Sequence, residues 1–246
     1  MNTLFIPLEN KQNNRSAQSN TIDRHLNQKI DFSDKKVALS YIHFYDTFYN
    51  ISNKFNNNKI KYVYDNIDYE INFPDGTYTY KDFNNYLHFI MRNNNHYDLD
   101  KETGIENYPI DIVVNSVYSC LSVVIHEGFT LVIESDGISR FLGIDLGKYE
   151  NDFNSQKIPD ITMGFDTMFV HCNIVDNSII PEYNSVIFTC PMNRKFGEHI
   201  NITPNEKRYL NCNNSNTQNI KIWLTNQDGI PIEFVENKWG IGLDVM

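Results

Sequence analysis

Positive charge is the first thing this chain is short of. Its 246 residues carry 21 Lys and Arg against 31 Asp and Glu, a net charge of -10 and a sequence pI near 5.1. A phosphate backbone is repelled by such a surface unless cations cluster on one face. Only small groups such as Lys35-Lys36 and Lys207-Arg208 occur, so direct nucleic-acid binding is not expected. No apolar run reaches membrane-spanning length, and the stretch before Pro7 is too short and lacks the basic flank of a signal peptide. The expectation is a soluble chain of intracellular origin. The four cysteines, Cys120, Cys172, Cys190 and Cys212, show no C-x-x-C spacing and read as buried free thiols.

Catalytic signatures are equally scarce. G-x-S-x-G, a Gly-rich phosphate loop with its lysine, and the H-x-H of metal-binding jelly rolls are missing from the sequence. His126-Glu127 precedes Gly128 in what reads as a hairpin turn. His171-Cys172 are neighbours on a strand, where adjacent side chains point to opposite faces and do not converge on one ion. Both pairs are expected to be metal-free. Asp136, Asp145 and Asp152 lack the alternate-residue spacing of a calcium loop and read as turn formers.

What is abundant is period-two alternation and asparagine. Ile220, Ile222 and Leu224 alternate with Lys221, Trp223 and Thr225 before Asp228-Gly229, and Ile230, Ile232 and Phe234 follow. Ile241, Leu243 and Val245 repeat the pattern, predicting a C-terminal β meander. Ile60, Tyr62 and Tyr64 lead through Asp65-Asn66 to Ile67, Tyr69, Ile71 and Phe73, a second hairpin. Phe83, Tyr86, Leu87 and Ile90 instead follow helical spacing, with Thr79 and Asp82 as a capping box, predicting one helix over 80–92. Residues 138–142, closed by Gly143, predict a short helical turn. Further strands are expected near 110–114, 120–125, 129–133, 168–174 and 185–190.

Asparagine, roughly one residue in seven, exceeds ordinary usage and clusters in short runs at 56–58, 93–95 and 211–219. It reads as an AT-rich coding bias tolerated in loops, and the N-x-[ST] triplets at Asn14, Asn50, Asn201 and Asn213 follow from that abundance. Eight to ten strands and one substantial helix predict an all-β chain, a single jelly-roll β-sandwich with the helix in a connection. Residues 10–28 lack apolar periodicity, so residues 1–30 are expected to be a polar arm outside the core, dispensable for folding, and 31–246 the single jelly-roll domain.

Five segments then carry a resemblance: KKVALSYIHFYDTFYNI, FPDGTYTYKDFNNYL, ISRFLGI, HCNIVDNSIIPEYNSVIFTCP and NIKIWLTNQDGIPIEFVENKWGIGLDVM. In order and spacing they resemble the penton (minor capsid, vertex) proteins of virophages and of the Polinton and adintovirus group, most closely the mavirus-like ones. The resemblance implies a single jelly roll that forms homopentamers at the fivefold vertices of an icosahedral virion. It implies a double jelly-roll major capsid protein as partner, assembly inside the host cell, no enzyme activity and no cofactor. The alternative is a carbohydrate-binding or host-attachment jelly-roll module. The aromatic run 41–49 reads as buried at a core or at a subunit interface, with Tyr45, Phe48 and Tyr49 as the candidate interface residues; at an interface Phe48→Asp is expected to block assembly while leaving a folded monomer, and in a core to unfold the chain. No catalytic, cofactor-binding or metal-binding residue is assigned.

Overall fold

The computed structural model describes residues 4–9, 20–176, 184–192, 197–213, 216–232, 234 and 238–246. In chain order, β1 (Leu4–Glu9), β2 (Thr21–Asp31) and β3 (Lys36–Tyr45) come first. There follow β4 (Lys59–Tyr64), β5 (Ile67–Asn72), α1 (Tyr80–Asn93), β6 (Asp98–Leu99), β7 (Glu106–Asn107), β8 (Ile110–Asn115), β9 (Cys120–Ile125) and β10 (Phe129–Ile133). Next are α2 (Asp136–Leu142), β11 (Gly147–Tyr149) and β12 (Phe153–Asn154). The chain closes with β13 (Thr167–Cys172), β14 (Val186–Pro191), β15 (His199–Ile202), β16 (Leu210–Asn211), β17 (Asn216–Asn226) and β18 (Gly240–Val245). The all-β class expected from the alternation is what forms.

These elements divide into two compact units, one made of Met1–Phe48 with Gly164–Met246 and the other of Tyr49–Met163. In the first unit, one sheet has the order β1-β18-β3-β15, with β16 also on β3, and the other the order β14-β13-β17-β2. Counted 1 to 8 along this unit, with β15 and β16 together as the sixth, the sheets read 1-8-3-6 and 5-4-7-2. Four of the pairings are nested: first with last, second with seventh, third with sixth, fourth with fifth. That is a long hairpin rolled into two antiparallel sheets, the jelly roll. Alternation puts Val37, Ile42, Phe44, Val170, Cys172, Ile220, Ile222, Leu224, Ile241 and Leu243 into its core.

The second unit has its own core. Ile60, Tyr62, Ile71 and Phe73 from β4–β5, Phe83, Leu87 and Met91 from α1, and Leu131 and Ile133 from β10 are all buried together. Asp65 and Asn66 both adopt positive φ in the β4–β5 turn, the primed geometry that suits a tight hairpin. Thr79 and Asp82 form the expected capping box of α1. Gly143, at φ 67, caps α2, where a side chain would also meet the Lys157 carbonyl.

Asparagine does more here than fill loops. Asn50 Nδ2 donates to the Tyr78 and Ile161 carbonyls at 2.8 and 2.9 Å, and its Oδ1 accepts from Tyr78 N at 2.8 Å. Asn57 in turn donates to the Asn50 carbonyl and accepts from Ser52 N. Asn50 therefore ties the start of the second unit to its end.

Three expectations are corrected. The single domain over 31–246 divides in two, because residues 49–163 bury a separate apolar set. The polar arm over 1–30 contains strands: β1 pairs with β18 and β2 with β17, burying Ile6, Leu8 and Ile22. Polar outward positions on edge strands masked the apolar inward ones, and residues 10–19 lie outside the described set. Among the described residues the three-stranded C-terminal meander does not form either. The chain does turn at Gly229, and Ile232 N bonds the Leu224 carbonyl, but β18 leaves for the other sheet to lie between β1 and β3. Period-two spacing fixes a face and not a partner.

Deleting residues 1–31 is therefore expected to prevent cooperative folding, and Leu8→Ala or Ile22→Ala to cost about 2–4 kcal/mol in urea unfolding; a truncated chain melting within a few degrees of the full one would contradict this. Asn50→Ala leaves one half-buried amide and two carbonyls without their partner and is expected to cost about 1–3 kcal/mol, whereas a loss below about 0.5 kcal/mol would deny it the tethering role.

Candidate functional site

The residues singled out in the sequence fall in separate places. His126 and Glu127 are exposed in the β9–β10 turn, where His126 N donates to the Pro109 carbonyl. Asp152 accepts from Ile125 N at 2.8 Å, Asp145 pairs with Lys157, and Asp136 lies in the first turn of α2. Each aspartate thus serves a local turn or pair. Among the described residues no group of three or more His, Cys, Asp or Glu is placed to hold a metal. All four cysteines are free thiols. Burial pushes Cys172 up to about 12 and Cys190 and Cys212 up to about 11, which keeps them protonated and unreactive.

His171 does meet other polar side chains. It lies on β13 with Nδ1 2.9 Å from Ser185 Oγ and Nε2 2.9 Å from Thr225 Oγ1, its ring stacked on Trp223 at 5.0 Å. A serine beside a histidine is the start of a nucleophile and base. Here the third partner is a neutral hydroxyl and burial drops the imidazole to about 4, so it is too weak a base to activate Ser185 near neutral pH. Its role is to bridge β17 and the start of β14 as a neutral ring.

The 41–49 run splits by face. Ile42 and Phe44 point inward, and Phe48 joins them. At 2% exposure, its ring is stacked parallel to Phe165 at 6.1 Å and lies 4.9 Å from Phe234. Phe48 is core, and the interface role expected for it is corrected: the hydrophobic environment that sequence reading placed between subunits is supplied within one chain. Tyr49 is half-buried at the start of the second unit.

Tyr45 differs. With Tyr41 and His43 it lies on the outer face of the β1-β18-β3-β15 sheet, half-buried and 4.8 Å from the exposed His199 ring on β15. Tyr41 stacks on His43 at 5.9 Å, His43 approaches His199 at 5.8 Å, and Phe5 of β1 approaches Tyr41 at 6.1 Å. Five rings thus form a stripe across the sheet. Burial, and then the neighbouring His199, lower the His43 pKa. Sequence reading missed Phe5 and His199, which are remote in the chain; the Tyr-x-His-x-Tyr spacing was the available signal.

No protein-family model matches this chain. Nor does any curated protein sequence match it. Among solved structures, the chain is similar to the mavirus penton protein, seen in a crystal structure of its selenomethionine-labelled form. The identity is 10%, the alignment covers 99% of this chain and 98% of that one, and the TM-score is 0.49.

Because His171 has its pKa lowered from 6.5 to about 4, the unfolded chain takes up a proton first as the pH falls. The stabilisation from the neutral ring is complete above pH 6.5 and is lost toward pH 4, by about 3 kcal/mol. Urea titrations at pH 7 and pH 4.5 are expected to show a smaller pH-dependent loss in His171→Gln than in the wild type. Equal losses in the two proteins would count against it.

Proposed function

We propose that this chain is a structural minor capsid protein of the penton type, forming homopentamers that occupy the fivefold vertices of an icosahedral virion. The observation that carries the reading is the nested 1-8-3-6 and 5-4-7-2 strand order built from the segments in which the sequence resembles penton proteins. KKVALSYIHFYDTFYNI supplies β3, HCNIVDNSIIPEYNSVIFTCP runs from the end of β13 through β14, and the C-terminal segment supplies β17 and β18. The remaining two segments cover the start of α1 and all but the start of α2.

A closed ring needs two different complementary patches on each subunit, so that each copy presents one patch to either neighbour. A two-sheet sandwich offers such patches on its opposite faces and edges. The partners in this reading are four further copies of the chain and a double jelly-roll major capsid protein, with the virion, assembled inside the host cell, as location. The net charge of -10 fits contacts with protein better than with nucleic acid. The neutral, weakly basic His171 and the protonated buried thiols fit a structural role and not catalysis.

Particles assembled from the major capsid protein with and without this chain test the reading. Reconstruction is expected to show five copies at each fivefold position when the chain is present and a hole when it is left out. Filled vertices without it, or its density elsewhere on the shell, would refute the assignment.

A further inference from the structure

The outer face of a two-sheet sandwich is the wet face, where alternation ordinarily places charged and polar side chains. On the β1-β18-β3-β15 sheet that position is taken by Phe5, Tyr41, His43, Tyr45 and His199. Phe5 is 49% exposed, although β1 buries Ile6 and Leu8 on its other face. The rings also lie low. A Cβ on Gly240 would come within 2.6 Å of His43 Nε2, and one on Gly242 within 2.5 Å of Tyr41 Cε1. Glycine within a strand weakens it and marks close approach by another group; here it lets Tyr41 and His43 settle against the β18 backbone, leaving a flattened aromatic surface.

The face is also poor in charge. Alternation assigns it two carboxylates, Glu9 and Asp244. Glu9 ends β1, at one corner of the sheet, and Asp244 is 5% exposed and ion-paired with Lys207. In a chain of net charge -10, two copies repel over most orientations. They can approach where carboxylates are few, as on this face. A contiguous aromatic patch with polar tips is the composition that subunit contacts favour.

We propose that this aromatic and imidazole stripe is a docking surface for a second copy of the chain, one of the two unlike patches that a ring of copies requires. The proposal rests on the homopentamer reading and identifies the surface used. The stripe docks against a different patch of its neighbour, as a heterologous contact demands.

The test uses the full chain as wild type, Phe5→Asp, His199→Asp and Val117→Asp. Val117 is 82% exposed in the β8–β9 turn of the second unit and represents an exposed apolar surface outside the stripe. Phe5 and His199 are exposed, and circular dichroism melts establish that each variant is folded. Sedimentation over a concentration series is expected to show self-association of the wild type, weakened at least tenfold by Phe5→Asp and by His199→Asp and unchanged by Val117→Asp. Unchanged association in folded stripe variants overturns the proposal and leaves the vertex reading standing. So does weakening by Val117→Asp alone. A wild type that stays monomeric at every concentration overturns the proposal as well, while particle reconstruction judges the vertex role separately. If the stripe variants still self-associate but lose binding to a neutral hexasaccharide or to the major capsid protein, the face belongs to that partner and not to a second copy.

Discussion

The pairing of the first strand of the chain with the last is the constraint on which the jelly roll depends. β18 is held between β1 and β3, so the central position of one sheet stays empty until the C-terminal residues arrive. β17 does the same for the other sheet, between β2 and β13. Nested pairings of this kind are long-range, and their loop-closure entropy is lost before the contacts compensate it. A chain built this way gains from anything that shortens the effective separation. The separate core of residues 49–163 does so, since its own folding draws together the two ends of the insert, Asn50 after β3 and Ile161 before β13.

That role depends on the insert's ends lying together, and asparagine side chains hold them there. The amide of Asn50 reproduces the donor and acceptor of a peptide group and satisfies the Tyr78 amide and the Tyr78 and Ile161 carbonyls at once. Elsewhere the same substitution of side-chain amide for backbone recurs. Asn226 Oδ1 accepts from Asp228 N and Ile230 N in the turn after β17, and Asn173 donates to the Asn219 carbonyl and accepts from Lys221 N. A composition bias explains why asparagine is plentiful; it does not explain why these particular amides are buried or bonded on both ends. Irregular backbone that leaves a sheet loses its ladder partners, and an asparagine at that point replaces them.

What the sequence revealed was local. The α1 capping box, the Asp65-Asn66 turn and the Gly143 cap all depend on residues within four positions of one another, and each is found in the structure. The alternation in β17 told correctly that Ile220, Ile222 and Leu224 face inward. What stayed hidden was which strand lies beside which. Ile241, Leu243 and Val245 look the same whether β18 pairs with the preceding residues or with β1 and β3. The strands in the first thirty residues were hidden for a related reason. Only Ile22 of β2 is fully buried, so an edge strand in the sheet has nearly the polarity of a free arm. Phe48 failed in the opposite direction, because an aromatic run has no marking that separates a core from an interface.

The two sheets of the jelly roll resolve the same chemistry in contrasting ways. On the second, His171 and Trp223 stack across the outer face, yet the imidazole is 9% exposed and both of its nitrogens meet hydroxyls from the same chain. The polar atoms of that ring pair's imidazole are thus met within the chain. On the first, the rings of Tyr41, His43, Tyr45 and His199 touch one another, and His199 at the end of the row is open to solvent. Aromatic area left in water is stabilised by being covered, and among the described residues no further strand covers it. The asymmetry between the faces therefore gives the sandwich a direction, which is what a subunit needs if it is to meet unlike surfaces on its two sides.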